Sequence, residues 1–253
     1  MSAANERFGW LAAAQRDATT AILREESPKD AVREVALNAA EFADRVIAIA
    51  HAESSPGERP ACVKTCASCC YLHTTASVLE VILIAETLGE REGDAGGHAL
   101  NQHIASHVAR TDGLSAEARK RLRLPCPLLV DGECAVYDVR PLVCRGWNSL
   151  DADRCDADLA DPRAGLSAVL NRKQYLAAGQ IAQGMADAIH EQGLDARPLD
   201  MVRGLAIALA RPGSAADWLA GRNPFATAVN ATVFAGQPPV GQAGSEGGQC
   251  GRP

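Results

Sequence analysis

Cysteine is the residue type that most constrains this chain of 253 residues. It occurs nine times, and eight of the nine cysteines lie between residues 62 and 155. The first twenty residues lack the apolar core of a secretory signal, and the most apolar stretch, 78–88, is too short to span a bilayer. We therefore expect a cytoplasmic protein. In a reducing cytosol, clustered cysteines are metal ligands or redox centres more often than disulfides.

The eight cysteines form two clusters whose spacings are typical of metal ligands. Thiolates bind zinc and iron, and a tetrahedral site takes four of them. Eight thiols thus suffice for two mononuclear sites, one shared polynuclear site, or one iron–sulfur cluster with cysteines left over. A role as small buried apolar residues is less favoured, because four cysteines within nine residues would make an unusual core. The predicted metal ligands are Cys62, Cys66, Cys69, Cys70, Cys126, Cys134, Cys144 and Cys155.

Cys69 and Cys70 are adjacent in the first cluster. Neighbouring side chains usually diverge, so both sulfurs reach a single ion only with a strained backbone. The adjacent pair therefore favours a polynuclear site, or one ligand beside one free thiol.

The second cluster contains a hairpin signal. Asp131-Gly132 is a favoured pair for a two-residue turn, which places Cys134 opposite Leu129. Cys126 then lies about 10 Å further along the strand, with its sulfur on the other face. This geometry argues against a simple zinc ribbon and for one centre shared by both clusters.

Other polar residues near the clusters have two interpretations each. Glu80 is an oxygen ligand for iron or, more favoured, the second half of a capping box that begins at Ser77. His73 is a candidate nitrogen ligand. Arg140 and Arg145 lie on either side of Cys144. Their guanidinium groups either donate hydrogen bonds to thiolate sulfur or are simply solvated at the surface. Two further histidines, four residues apart at 103 and 107, are interpreted as a solvated helix face.

Periodicity elsewhere predicts helices, and the predicted fold class is mainly α: a helical domain with a loop-rich cysteine-cluster insert containing a short β-hairpin. The predicted helices are 5–25, 29–53, 77–90, 98–110, 115–123, 165–193, 198–211 and 214–221. The predicted organisation is N-terminal helices (1–56), a cysteine-cluster metal-binding region (57–160), C-terminal helices packed on it (161–235), and a disordered Gly- and Pro-rich tail (236–253) that holds Cys250.

The two clusters together resemble the YkgJ-type cysteine-cluster family. The resemblance rests on CVKTCASCC at 62–70, on Glu80, and on CPLLVDGECAVYDVRPLVCR at 126–145, with 151–155 similar to the family's trailing element. It covers about residues 60–155. The resemblance implies zinc or iron chelation. The family includes a flagellin lysine N-methylase, which implies that some members use an iron–sulfur centre in catalysis.

Two functions follow as expectations. The first is a cytosolic metal-binding protein that holds zinc or iron, polynuclear or as an iron–sulfur cluster, through both cysteine clusters. The alternative is an iron- or Fe–S-dependent enzyme that modifies a protein or a small molecule. The net charge of −6 argues against nucleic acid or an anionic membrane as partner. The metal ion is the predicted partner, and the sequence identifies no protein or small-molecule partner.

Overall fold

Two long helices, α1 (Ala3–Glu25) and α2 (Pro28–Ala52), begin the fold and pack against each other. The Ser27 hydroxyl caps α2 by accepting a hydrogen bond from the amide of Asp30, and Pro28 follows it directly. This is the helix start that the cap-then-proline order predicts. The structure is a computed structural model that describes residues 3–25, 27–63, 65–91, 95–161 and 168–230.

The rest of the described chain is also mainly helical, as predicted, with strands of only two residues. The further helices are α3 (Val78–Gly89), α4 (Ala95–Thr111), α5 (Ala116–Leu122), α6 (Leu142–Gly146), α7 (Ala152–Ala160), α8 (Arg172–Glu191), α9 (Met201–Ala210) and α10 (Ser214–Leu219). The strands are β1 (Thr75–Ala76), β2 (Leu129–Val130), β3 (Glu133–Cys134) and β4 (Leu199–Asp200).

Helix α3 lies at the centre of the core, between α2 and α9. It is apolar on nearly every side, and such helices are buried rather than amphipathic. Leu79, Leu83 and Ile84 are each at most 2% exposed. At its start, Ser77 and Glu80 form the predicted capping box. The helix that follows the first cysteine cluster is therefore a fixed support for it.

Helix α8 packs against α1, α2 and α6. Its contact with α1 is close at Gly184, where an added Cβ would lie 2.1 Å from the carbonyl oxygen of Ala12. Only glycine fits this crossing, because any side chain would push the two helices apart. Gly179, on the same helix, has open space around it.

Two short antiparallel pairings position the cysteine segments. β1 pairs with β4, with Thr75 opposite Asp200, so the chain just after the first cluster joins the start of α9. β2 pairs with β3, with Leu129 opposite Cys134, which confirms the predicted hairpin register. Asp131 and Gly132 form the turn, with φ of +50° and +82°. Both values are those of the turn type that an Asp-Gly pair favours.

Several boundaries differ from the sequence prediction. The helix predicted over 165–193 begins at Arg172, where the Asn171 side chain caps it, and residues 168–170 are not helical. Helices α6 and α7 were not predicted, because each is too short to show a clear period. The predicted tail at 236–253, with Cys250, lies outside the described residues. Among the helices described, none is both long and apolar enough to cross a membrane.

Candidate metal centre

The first cluster ends in a 3₁₀ turn, Ser68–Tyr71, that carries Cys69 and Cys70. The amide of Cys70 donates to the carbonyl of Ala67 at 2.8 Å, which closes the turn. The two adjacent thiols do not diverge, since their side chains form a hydrogen bond with each other. A 3₁₀ turn rotates successive side chains by about 120°, whereas extended backbone sends them to opposite faces.

Ser149, which is 2% exposed, gathers one group of thiols. Its amide donates to the sulfur of Cys62 at 3.2 Å, and its side chain lowers the pKa of the Cys155 thiol against the larger effect of burial. Nearby, the Ser68 hydroxyl lies 3.9 Å from the sulfur of Cys66 and donates to the carboxylate of Asp156 at 2.6 Å. Cys62, Cys66 and Cys155 therefore lie in the segments around the contact of α7 with the 3₁₀ turn.

The second group of thiols comes from the hairpin segment and α6. The amide of Cys126 donates to the carbonyl of Cys70 at 2.7 Å, which joins this group to the first cluster. The sulfur of Cys126 accepts a hydrogen bond from the amide of Leu128, and that of Cys134 from the amide of Val136. Both bonds run from residue i+2 to the sulfur of residue i, so the local turn itself provides the donor.

Cys144 completes the second group from within α6. Burial raises the pKa of its thiol, and the charges of Cys126, Cys69 and Cys134 raise it further. Burial likewise raises the pKa of Cys126 to about 11, despite the hydrogen bond from the Leu128 amide. These thiols are neutral near pH 7 unless a cation replaces their protons.

Cys69 lies between the two groups. A hydrogen bond that its thiol donates to Cys70 and burial both raise the pKa of Cys69. Its own charge raises the pKa of thiols in both groups. Charge–charge effects are largely screened beyond about 10 Å at ordinary salt. Each of the eight predicted ligands thus interacts with at least one other thiol of the set, Cys66 through its charge on Cys62 and Cys155.

Arg140 is a positive charge directed at this region. Its guanidinium stacks on the Tyr137 ring, with 3.8 Å between the guanidinium carbon and the ring centre, and its charge lowers the pKa of Cys69 and Cys134 against the larger effect of burial. Arg145, by contrast, is buried and makes its hydrogen bonds to oxygen atoms of the protein. It is 2% exposed and donates to the carboxylate of Asp44 and to two carbonyl oxygens of the 138–140 turn.

Glu80 has both carboxylate oxygens engaged with protein donors. One accepts from the amide and hydroxyl of Ser77, and the other accepts from the amide of Leu142 at 2.6 Å. His73 bonds the carboxylate of Asp200 at 3.1 Å. As placed, Glu80 and His73 serve as a cap and an ion-pair partner.

As the side chains stand in the described part of the chain, no three His, Cys, Asp or Glu residues converge closely enough to hold one metal ion. The donor chemistry nevertheless fits a thiophilic metal. The eight described thiols are free of disulfides, four lie within one short segment, and amide donors already face three of the sulfurs.

Ser149 and Asp200 are the structural organisers that sequence reasoning missed. Ser149 precedes Cys155 without any motif, so no local signal identifies it. Asp200 caps α9 by accepting from the amide of Arg203, and it also binds His73 and Arg119. Its position before an apolar helix signals the cap, but its partners 81 and 127 residues away leave no trace in the sequence.

Cys126 also lines a cavity of about 240 Å³ on the side of α4. Comparison with known proteins finds no match among protein-family models, curated proteins or solved structures. The resemblance of residues 60–155 to the YkgJ-type family therefore stays a prediction.

Proposed function

We propose that this chain is a metal-binding protein that holds zinc or iron at one centre, built from the eight cysteines between residues 62 and 155. The observation that carries the proposal is the set of N–H···S hydrogen bonds. The backbone amide of Ser149 donates to the sulfur of Cys62 at 3.2 Å, and backbone hydrogen bonding by Leu128 and Val136, on either side of the hairpin, lowers the pKa of Cys126 and Cys134 against the larger effect of burial. A neutral thiol is a weak acceptor, whereas a thiolate bound to a metal is stabilised by such donors.

The electrostatics support the same proposal. Burial and mutual repulsion raise the pKa of most of these thiols, so several thiolates cannot coexist there without added positive charge. A thiophilic cation supplies that charge, and its binding releases the thiol protons. Arg140 offsets a further part of the negative charge that four or more thiolates leave on a divalent ion.

We also infer, from the two cysteine motifs, membership of the YkgJ-type family and a cytoplasmic location. The thiols of the described residues are unpaired, which suits a compartment that keeps cysteines reduced. The resemblance to this family supports binding of zinc or iron, with all eight cysteines as ligands. The assignment as a ligand is weaker for Cys62 and Cys155 than for the other six.

Purification without oxygen tests the proposal. We expect stoichiometric zinc or iron by elemental analysis, and for iron a brown protein whose visible absorption bleaches with dithionite. A colourless protein loaded with zinc selects a structural or metal-handling role. A folded protein that retains neither metal and takes up neither from solution contradicts the proposal.

Serine substitutions test whether the centre is shared. If both groups of thiols hold one centre, Cys69→Ser should remove most of the metal, and so should a change at Cys134. Independent sites would instead lose about half of the metal with each substitution. Cys250→Ser is the matched control and should cost no metal, because Cys250 belongs to neither cysteine cluster and lies 95 residues after Cys155.

The cavity beside Cys126 favours the alternative function, an iron-dependent enzyme that modifies a protein or small molecule. A ligand in that cavity would reach a wall of the centre, as catalysis requires. Reductive titration of the anaerobic protein distinguishes the two functions. A zinc-filled centre that accepts no electrons contradicts the redox enzyme and leaves the binding function intact.

A further inference from the structure

A cavity of about 240 Å³ lies between α4 and the segment 124–129. Its α4 wall presents His103, His107 and Arg110, at spacings of four and three residues. Residues at these spacings share one helix face. The side chains of the opposite wall are mainly apolar: Leu124, Pro125, Cys126, Pro127 and Leu129.

The charge of this cavity has one sign. Of the described residues that line it, none is Asp or Glu. Arg110 makes no hydrogen bond or ion pair within the described part of the chain, whereas His107 bonds the carbonyl of Pro125 and is fixed by it. Asp200 lines an adjoining pocket that shares His107, Leu124 and Cys126 with this cavity, and its charge acts on His107. Asp200 is itself paired with Arg119 at 2.5 Å, so Arg110 lines the cavity with no carboxylate partner of its own among the described residues.

Size and polarity together define the ligand class. The cavity volume of about 240 Å³ far exceeds what one water molecule needs, so the cavity has room for a small organic molecule. The apolar wall suits a short hydrocarbon chain, and the α4 wall suits an anionic group that a guanidinium can bind through two hydrogen bonds.

We propose that this cavity binds a small organic carboxylate. The carboxylate lies against Arg110 and His103, and the hydrocarbon part packs on Leu124 and Leu129. The other end of the ligand then approaches Cys126. Only the statement that the ligand lies next to a metal centre rests on the proposed function, because the cavity and its charge exist without it.

Hexanoate and hexanamide are a matched pair of probes that differ in charge and not in size. Calorimetric titration of the full-length, anaerobically purified protein should give a dissociation constant on the order of 1 mM for hexanoate. Binding of hexanamide should be about tenfold weaker or undetectable, because the amide lacks the charge-assisted bonds to the guanidinium. The metal content of every sample is measured in parallel.

Two variants on the exposed surface of α4 locate the site. Arg110→Gln should weaken hexanoate binding about tenfold, and Ser106→Glu, which adds a negative charge to the same wall, should abolish it. Arg24→Gln, an exposed change in the last turn of α1, is the control and should leave the affinity unchanged.

Equal affinity for the two probes, or an Arg110→Gln variant that binds hexanoate as the parent does, overturns this inference. Selective hexanoate binding by a protein that holds no metal supports the cavity and contradicts only the proposed metal centre. A fully metal-loaded protein that binds neither probe refutes the cavity and leaves the metal centre standing.

Discussion

Replacing Glu80 by glutamine tests how the fold supports the cysteines. Glu80 is 8% exposed, and its two carboxylate oxygens accept three hydrogen bonds. Two come from Ser77 at the start of α3, and the third comes from Leu142, the first residue of the helix that holds Cys144. One side chain therefore fixes α6 against α3.

The expected loss of stability follows from the number of hydrogen-bond acceptor atoms that the substitution removes. A glutamine has one acceptor oxygen, so its amide nitrogen must face a backbone N–H that has lost its partner. An unsatisfied buried donor costs about 1–3 kcal/mol, and the remaining bonds lose their charge assistance. We expect Glu80→Gln to lower the free energy of unfolding by about 2–4 kcal/mol. For a protein of this size that corresponds to a fall of about 4–16 °C in melting temperature.

Glu58 provides a matched control within the same chain. It forms the same capping box with Ser55, at 3.1 and 3.0 Å, but on the exposed surface. Glu58→Gln is the same chemical change at an exposed position, so it should lower the melting temperature much less than Glu80→Gln does. Thermal unfolding followed by circular dichroism, with metal content measured at 20 °C, compares the two variants.

Two results would refute the reasoning. Equal losses for Glu80→Gln and Glu58→Gln would show that burial of the second oxygen does not matter. Loss of metal from a Glu80→Gln protein of unchanged stability would identify Glu80 as a metal ligand instead of a cap. The structural role requires metal to be retained below the melting temperature.

The remaining predictions use the same unfolding assay. Gly184→Ala should destabilise the protein by about 2–4 kcal/mol through overpacking at the contact of α8 with α1. Gly179→Ala, on the same helix but in open space, should instead stabilise the protein by about 0.5–1 kcal/mol. Similar effects of the two substitutions would contradict the close contact of the two helices at Gly184. Stripping the metal of the proposed centre with a chelator should lower the melting temperature and expose the cysteine loops to protease, because binding energy at an unformed site is folding energy. Unchanged melting after verified removal would contradict this. Burial raises the pKa of Asp200, but the bonds from His73 and Arg203 outweigh it and lower that pKa overall. A lowered carboxyl pKa contributes stability above about pH 4, and this stability is lost as the pH falls through the folded-state pKa. Asp200→Asn should therefore reduce the loss of unfolding free energy that the protein shows on acidification. An unchanged dependence of the unfolding free energy on acidic pH would contradict this role of Asp200.

Local signals in the sequence account for much of the fold. The start of α2 follows from Ser27 and Pro28, and the start of α3 follows from the spacing between Ser77 and Glu80. The hairpin register follows from the turn at 131–132, because a two-residue turn fixes which residues face each other. In each case the determining residues lie within a few positions of one another.

The parts that sequence reasoning missed depend on distant partners. The sequence places Arg145 beside Cys144, where it is a candidate donor to the thiolate. In the structure its side chain instead donates to Asp44, 101 residues earlier. His73 reads as a ligand beside the first cluster, yet it bonds Asp200. Only packing decides which of two faces such a side chain takes, and no local pattern records it.

The distribution of the thiols along the chain has a consequence for synthesis on the ribosome. Cys126 follows Cys70 by 56 residues, and three helices separate the two clusters. Translation at about 5–20 residues per second needs roughly 3–11 s to cover that distance. During this interval no thiol of the second cluster has been synthesised, and the four thiols of the first cluster are the only cysteines on the nascent chain. Any metal or oxidant that meets the nascent chain then meets half of the proposed centre.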